Sequence, residues 1–368
     1  ATEFELRDRS KTYVLRGAGG ISIRNEDGKD TGYSAKLGVG KNSGKLQFGL
    51  SQSLFSDKLN INDLGYLRRN NEVTSETYIA YNEVEPSGIF REWHLNLDLR
   101  YIRMYNPSDF YTSEISLSGQ TLFKSNYFIV ANLQVSSLTH DYYETRVHGR
   151  YYLCPAGYSG YIGVNSDSRK IINFYIESGG YNQPSTDKYN YSAYGNVNLR
   201  AGQRLQLNLN IRHMHEKNDR GFVDRTDNND TVYFAKRDVN TIENTINFSV
   251  GINSKANISF RLRHYWSGAM NKTYYRLQQD GSLEEDLLYP DRKDNNYNAF
   301  NIDMIFRWIF APGSELTFAW KNAIYRSGDI INIHYFENLR NTWESEQTNS
   351  LSLKVLYYID YNNLRRAK

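Results

Sequence analysis

Residues 205–220 read LQLNLNIRHMHEKNDR, with Leu205, Leu207, Leu209 and Ile211 at every second position and Gln206, Asn208, Asn210 and Arg212 between them. Successive side chains of an extended strand point to opposite faces, so this stretch builds one oily face and one wet face. A half-buried strand of a soluble sheet has that pattern, and so does a strand with lipid on one side and water on the other. The rest of the chain decides between them.

The pattern recurs along the chain. Trp93, Leu95, Leu97, Leu99 and Tyr101 alternate with His94, Asn96, Asp98 and Arg100, and Ile246, Phe248, Val250 and Ile252 with Thr245, Asn247, Ser249 and Gly251. Phe300, Ile302, Met304, Phe306, Trp308 and Phe310 form a row long enough to cross a bilayer, since a tilted spanning strand needs about 9–11 residues. Near the end, Leu351, Leu353, Val355, Tyr357, Ile359 and Tyr361 alternate with Ser350, Ser352, Lys354, Tyr358 and Asp360.

The connections carry a second signal. Every second junction is a short turn: KNSGK from Lys41, EPSG from Glu85, KSN from Lys124, SDSRK from Ser166, RAGQR from Arg200, NSKAN from Asn253 and APGS from Ala311. The remaining junctions are mostly long, although those around Glu26–Asp30 and Asn106–Asp109 are short. The expected fold is therefore all-β: a transmembrane antiparallel β-barrel of about 16 strands (about 14 to 18), with short periplasmic turns and long extracellular loops. An even strand number would put both chain ends in the periplasm. Strands of a soluble sandwich average about five or six residues, and a dry core would not accept the Arg, Asp and Asn of the wet face.

Composition agrees with a barrel and excludes other classes. The chain has 368 residues, 39% hydrophobic and 14% aromatic, with 31 Tyr, and a mean hydropathy of −0.68. No apolar run reaches the ~18 residues of a membrane helix, whereas barrel strands spend only alternate residues on lipid. Basic and acidic side chains number 44 and 41, a balance that does not suggest nucleic acid as a partner. The single cysteine, Cys154, rules out an internal disulfide and a cysteine metal cluster. The opening ATEFELRDRS is charged and lacks the apolar stretch of a signal peptide. An exported protein would stand here in mature form or as a piece of a longer chain, and the piece is the expected case.

Period-2 counting places Asp98, Arg100, Arg212, Glu243, Arg261, Arg263, Asp303, Arg307, Glu315, Lys321 and Lys354 on the wet face. Opposed acidic and basic rows there would create a transverse field that orients polar solutes, or a network of ion pairs that stiffens or plugs the interior. The aromatics Trp93, Tyr101, Tyr127, Trp308, Trp320, Tyr357 and Tyr361 are expected toward strand ends, where the girdles of a barrel belong. Tyr142, Tyr143, Tyr151 and Tyr152 fall in a long loop and suit sugar stacking.

Other motifs carry less. His213 and His215 share a strand face at the spacing of a chelating pair, with no third ligand nearby. DRTDNND, from Asp224 to Asp230, offers oxygen ligands but lacks the glycine and closing Glu of an EF-hand. No G-x-S-x-G, H-E-x-x-H or nucleotide-binding glycine motif occurs, so no catalytic, metal or cofactor residue is assigned. The glycines of RGAGG, Gly17–Gly20, sit in a strand context and relieve crowding at a bend.

DLGYLRRNNE (Asp63–Glu72), RVHGRYY (Arg146–Tyr152), KRDVNTIENT (Lys236–Thr245), RLRHYWS (Arg261–Ser267), FNIDMIFRWIFAPGSELTFAWKN (Phe300–Asn322) and NSLSLKVLYYIDY (Asn349–Tyr361) occur in this order. Together they resemble a largely uncharacterised outer-membrane β-barrel family of Bacteroidota. Longer members join an N-terminal sandwich, similar to family-9 carbohydrate-binding domains, to a C-terminal barrel. The resemblance runs from about Tyr33 to the C-terminus. It implies that residues 1–368 are the single barrel domain of a longer protein, without the sugar-binding-like part, and it carries over no catalytic residue.

The expected function is an outer-membrane conduit or anchor that holds a periplasmic domain and passes or binds saccharides or other small polar solutes. Two alternatives stand beside it: a plugged structural barrel within a larger outer-membrane complex, and an outer-membrane hydrolase with a triad hidden across strands. Outer-membrane lipid is the expected partner.

Overall fold

The structure is a computed structural model that describes the chain apart from residues 26–29, 63–64, 68, 203, 229, 290–292, 332–333 and 360–368. Its first half holds β1 (Thr2–Arg7), β2 (Tyr13–Arg24), β3 (Asp30–Lys41), β4 (Leu46–Phe55), β5 (Glu72–Glu83), β6 (Phe90–Met104), β7 (Phe110–Phe123) and β8 (Phe128–Ser136). After a small hairpin of β9 (Thr139–Asp141) and β10 (Tyr152–Cys154) come β11 (Gly157–Asn165), β12 (Ile172–Gln183), β13 (Lys188–Ala201), β14 (Leu205–Arg225), β15 (Val232–Asn253) and β16 (Ala256–Leu277). The chain closes with β17 (Leu283–Glu285), β18 (Asn295–Ala311), β19 (Ser314–Gly328), one helix, α1 (Tyr335–Trp343), and β20 (Gln347–Leu356).

All but β9 and β10 join one 18-stranded antiparallel sheet. Each strand pairs with its neighbour in sequence, from β1 on β2 to β19 on β20, with β8 continuing onto β11 and β16 onto β18. The meander follows from the turns. Gly44, Gly313 and Asn126 take φ of 77°, 70° and 63°, the left-handed region that lets two residues reverse a chain. Short turns gather at one rim; the other carries the long connections 56–71, 137–156, 278–294 and 329–346 together with short ones at 25–29, 105–109, 184–187 and 226–231. Among the described residues no helix is long and apolar enough to cross a membrane.

Between the β-bulges near the strand ends, the register carries alternation from strand to strand. Arg100 lies opposite Glu76 on β5 and Glu114 on β7. Arg212 faces Tyr194 and Glu243, Asn247 faces Arg261, and Asp303 faces both Arg261 and Lys321. Over the central stretch of the strands one face is thus mainly polar and the other mainly apolar.

The apolar face stays open. Leu50, Leu95, Ile115, Leu133, Ile162, Ile176 and Ile211 are 47–64% exposed, while on β8 the polar Asn132, Gln134 and Ser136 are less exposed than Leu133 and Val135. A soluble sheet shows the reverse. At the long-loop rim, however, α1 covers part of this face. Leu339 of α1 packs against a buried cluster of Phe300, Ile302 and Ile324, and the Trp343 ring meets Phe300 edge-on at 5.3 Å. In the row from Phe300 to Phe310, Phe300 and Ile302 are buried because a short amphipathic helix in the β19–β20 connection docks on that end, Met304, Phe306 and Phe310 are half-buried, and Trp308 is exposed.

The sheet has two free edges. Among the described residues β1 pairs only with β2 and β20 only with β19, and the sheet is not closed by a ladder between its ends. The 18 strands lie within the expected 14 to 18, above its centre of about 16. Leaving out the three-residue β17, which merely lengthens a hairpin on β16, the 18 strands become a wall of 17. β1 is the added strand, and it is only six residues long. It and β20 run in the same direction, toward the short-turn rim.

The segment 137–156, with β9 and β10, forms a strap between distant strands. On one side Tyr142 and Tyr143 pack on buried Ile102, Met104 and Tyr111. On the other, Tyr152 enters a buried cluster with Val232, Phe234 and Leu277, and Arg150 donates to the Leu277 carbonyl at 2.8 Å. A chain that touches β6–β7 and β14–β16 spans the long-loop rim.

Candidate functional site

The polar face holds the cavities. One, about 820 Å³, is lined by strands β12 to β19, with Asn173, Asn198, Asn208, Asn247, Arg261, Asp303 and Lys321 among its walls. A second, about 400 Å³, lies over β4–β8 beside Glu76, Asp98, Arg100, Glu114 and Gln134. Two more, about 610 and 690 Å³, flank β1 and β2. Cavities on the same side of both halves mark this face as the concave one.

All the predicted wet-face charges lie on it, and the register groups them. Arg100 reaches Glu76 at 3.3 Å and Glu114 at 3.6 Å, with Asp98 one pleat away. Arg263 pairs with Asp303 at 3.0 Å. Arg307 donates through Nε to Glu315 at 2.8 Å. The Arg212 guanidinium sits 5.2 Å from the Tyr194 ring centroid, one strand from Glu243. Lys321 stands opposite Asp303, and Arg261 joins both in the large cavity. Lys354 stands apart, exposed on edge strand β20 opposite Thr317.

Between these charges runs an amide network that charge counting misses. Asn198 donates to Asn173 at 3.1 Å and to Asn196 at 2.6 Å, Asn208 to Asn198 at 2.6 Å, and Asn247 to Asn208 at 3.0 Å. Asn196 and Tyr194 both donate to the Asn210 side-chain oxygen Oδ1, at 2.7 and 2.9 Å. The signal was present in the sequence, since Asn208 and Asn210 share the parity of Arg212. A second missed group lies under the strap: Asp219 accepts from Lys188 at 2.7 Å and Arg237 at 2.9 Å, all three mostly buried. A β-bulge between Glu216 and Asp219 redirects β14 there.

The predicted girdle divides. Trp93 stacks on Tyr81 at 5.1 Å near the short-turn rim. Trp308 and Tyr357 both neighbour Phe310 at that rim, at 5.7 and 6.2 Å, and Tyr127 closes the β7–β8 turn. Tyr101 meets Phe110 at 5.7 Å near the opposite rim. Trp320 departs from the expectation: it lies halfway along β19 opposite Met304 and Leu351, its Nε1 donating to Asn349 at 3.0 Å. Tyr361 lies outside the described residues.

The remaining motifs resolve into structure. His213 and His215 flank the Tyr191 ring on the apolar face at 5.8 and 5.2 Å, and His213 bonds Asn240 at 2.8 Å. No group of three His, Cys, Asp or Glu is placed for a metal among the described residues. In DRTDNND the Asp224 carboxylate is met by Lys293 at 3.4 Å. In the strap, burial pushes the Cys154 thiol up, and its sulfur accepts from Gln183 at 3.2 Å. Burial and the nearby Asp109 carboxylate push the Tyr142 phenol up to about 12. The strap tyrosines are thus packed and bonded, with Tyr143 donating to Glu72 at 3.0 Å.

These features define an all-β protein made of one long antiparallel meander with an open apolar face and a concave face of amides and paired charges. Over residues 1–368 the chain matches the family described as Domain of unknown function (DUF5916), and it belongs to that family. No curated protein matches it.

Proposed function

We propose that the sheet closes into a transmembrane β-barrel in the outer membrane of a Gram-negative bacterium, with the concave face as its lumen, and that it serves as a conduit or anchor for small polar solutes of saccharide size. The observation that carries this reading is the inverted burial on β4, β6–β8, β11 and β12, where large apolar side chains such as Leu50, Leu95, Ile115, Leu133, Ile162 and Ile176 are 47–64% exposed, while polar residues on the other face line cavities. Bare aliphatic rows of that extent are costly in water, at about 25 cal/mol per Å², and are satisfied by hydrocarbon. Amides offer both donors and acceptors, and the neighbouring Arg, Asp and Lys supply charge of both signs, a wall that suits neutral polyhydroxylated or zwitterionic solutes. On this reading the short turns face the periplasm and the strap lies at the extracellular mouth.

The strap favours a second reading, a plugged barrel that acts as a subunit of a larger outer-membrane assembly. Its anchoring on two separate walls is what recommends it. Neither the Bacteroidota origin nor an N-terminal sugar-binding-like domain is needed by either reading.

Membrane flotation with topology tags tests the reading. The protein is expected to float with outer-membrane lipid, with a tag in residues 224–230 reached by antibody on intact cells and one in 200–204 reached only after permeabilisation. A chain that stays monodisperse in buffer without amphiphile overturns it. Planar-bilayer conductance then separates the conduit, which passes ions in steps, from the plug, which stays silent.

A further inference from the structure

The two free edges and the RGAGG stretch belong to one problem. A strand edge presents unpaired N–H and C=O groups, which hydrocarbon does not tolerate. β1 pairs with β2 only from Gly19 down to Val14, so above Gly19 the side of β2 turned away from β3 has no strand laid along it from Gly20 to Ile23. β20 exposes every residue. The strand available to one edge is therefore shorter than the edge itself.

We propose that β20 and β1 compete for the same edge of β2, and that the closed barrel forms when β20 displaces β1. Removing β1 from the wall of 17 leaves 16 strands, an even number, with every pairing antiparallel. β2 ascends from the short-turn rim while β20 descends to it, so the two suit each other in direction. They suit each other in length too, twelve residues against ten. β1 runs parallel to β20, and closure through β1 would leave the upper parts of both neighbours unpaired. The faces agree as well: Ile21 and Ile23 of β2 and Leu351, Leu353 and Val355 of β20 are exposed on the apolar side.

What holds β1 in place is slight. A Cβ on Gly17 would sit 2.2 Å from the Phe4 ring, so Phe4 lies on bare backbone there. The Glu5–Arg16 ion pair, at 2.7 Å, is half exposed. Gly-rich strands specify register weakly, because few side chains distinguish one partner from another. RGAGG is thus suited to exchanging partners. The proposal rests on the membrane reading, and its test is scored on cross-link positions, whereas that reading is scored on flotation.

In a Cys154→Ser chain extracted in detergent, Ser352→Cys is combined in turn with Val14→Cys, Arg16→Cys or Ala18→Cys on β2, and with Glu3→Cys or Glu5→Cys on β1, then oxidised. One β2 position is expected to form an intramolecular disulfide while its neighbours do not, a selectivity that an unfolded chain lacks. Glu5→Pro, which removes a donor from β1, is expected to raise that yield about twofold or more. Bonding to β1 instead, disulfide-linked dimers, equal yields at all positions, no bond at all, or indifference to Glu5→Pro each overturn the exchange. The Cys154→Ser parent must retain the wild-type heat-dependent gel mobility.

Discussion

The wall around β14–β16 and the seam at β1 are built from the same alternation, yet they differ in how firmly the register is held. The three long strands run 21, 22 and 22 residues. Their upper ends are clamped by the buried cluster of Tyr152, Val232, Phe234 and Leu277 and by the Asp219 ion pairs. β1 has six exposed residues, one ring laid on a glycine and a solvent-washed ion pair. The difference teaches that alternation chooses a face, whereas side chains that fit only one partner choose a neighbour.

The sharpest way to break the contrast is to remove one ring from each region. Phe234→Ala, at a site with no exposed surface, is expected to cost about 3–5 kcal/mol of unfolding free energy in detergent. Phe4→Ala, whose ring is about half exposed, is expected to cost under about 1 kcal/mol. Equal losses would mean that the seam is as firmly held as the long strands. Charge removal gives a smaller version of the same contrast. Asp219→Asn leaves Lys188 and Arg237 without their shared carboxylate and is expected to cost about 3 kcal/mol; Glu5→Gln is expected to leave the midpoint unchanged. The mildest probe needs no mutation. With its thiol raised by burial and partly enclosed by the strap, Cys154 is expected to react with maleimide at pH 8 more slowly than a free thiol, whose pKa lies near 8.5. Labelling at the free rate would show that the strap lifts readily.

Much of the fold was legible in the sequence because period 2 is a property of extended backbone itself. Once Arg100, Arg212 and Asp303 were assigned to one face by counting, antiparallel pairing could only keep them there. Turns marked by Gly44, Asn126 and Gly313 were legible for a similar reason, since few residues adopt positive φ cheaply. What escaped notice depends on contacts distant in sequence. TEFELR alternates over too few residues to stand out from a charged leader. The strap has no period, and its tyrosines read as free stacking surfaces until the structure set them against Ile102, Glu72 and Phe234. α1 is nine residues long, and only its docking on Phe300 and Ile302 shows why its upper strand ends are not bare. The Asn network was visible letter by letter but not as a unit, because which asparagines meet is set by strand register.

The outward-facing rows of Leu and Ile have one further consequence, on the proposal that lipid or detergent bathes them. Those rows would touch hydrocarbon both before and after the chain comes apart, so unfolding would newly hydrate little of them. The heat-capacity increment would then fall well below the ~12–15 cal/mol/K per residue of water-soluble domains. The stability curve would lie nearly flat across temperature, and chilling would do little to loosen the protein.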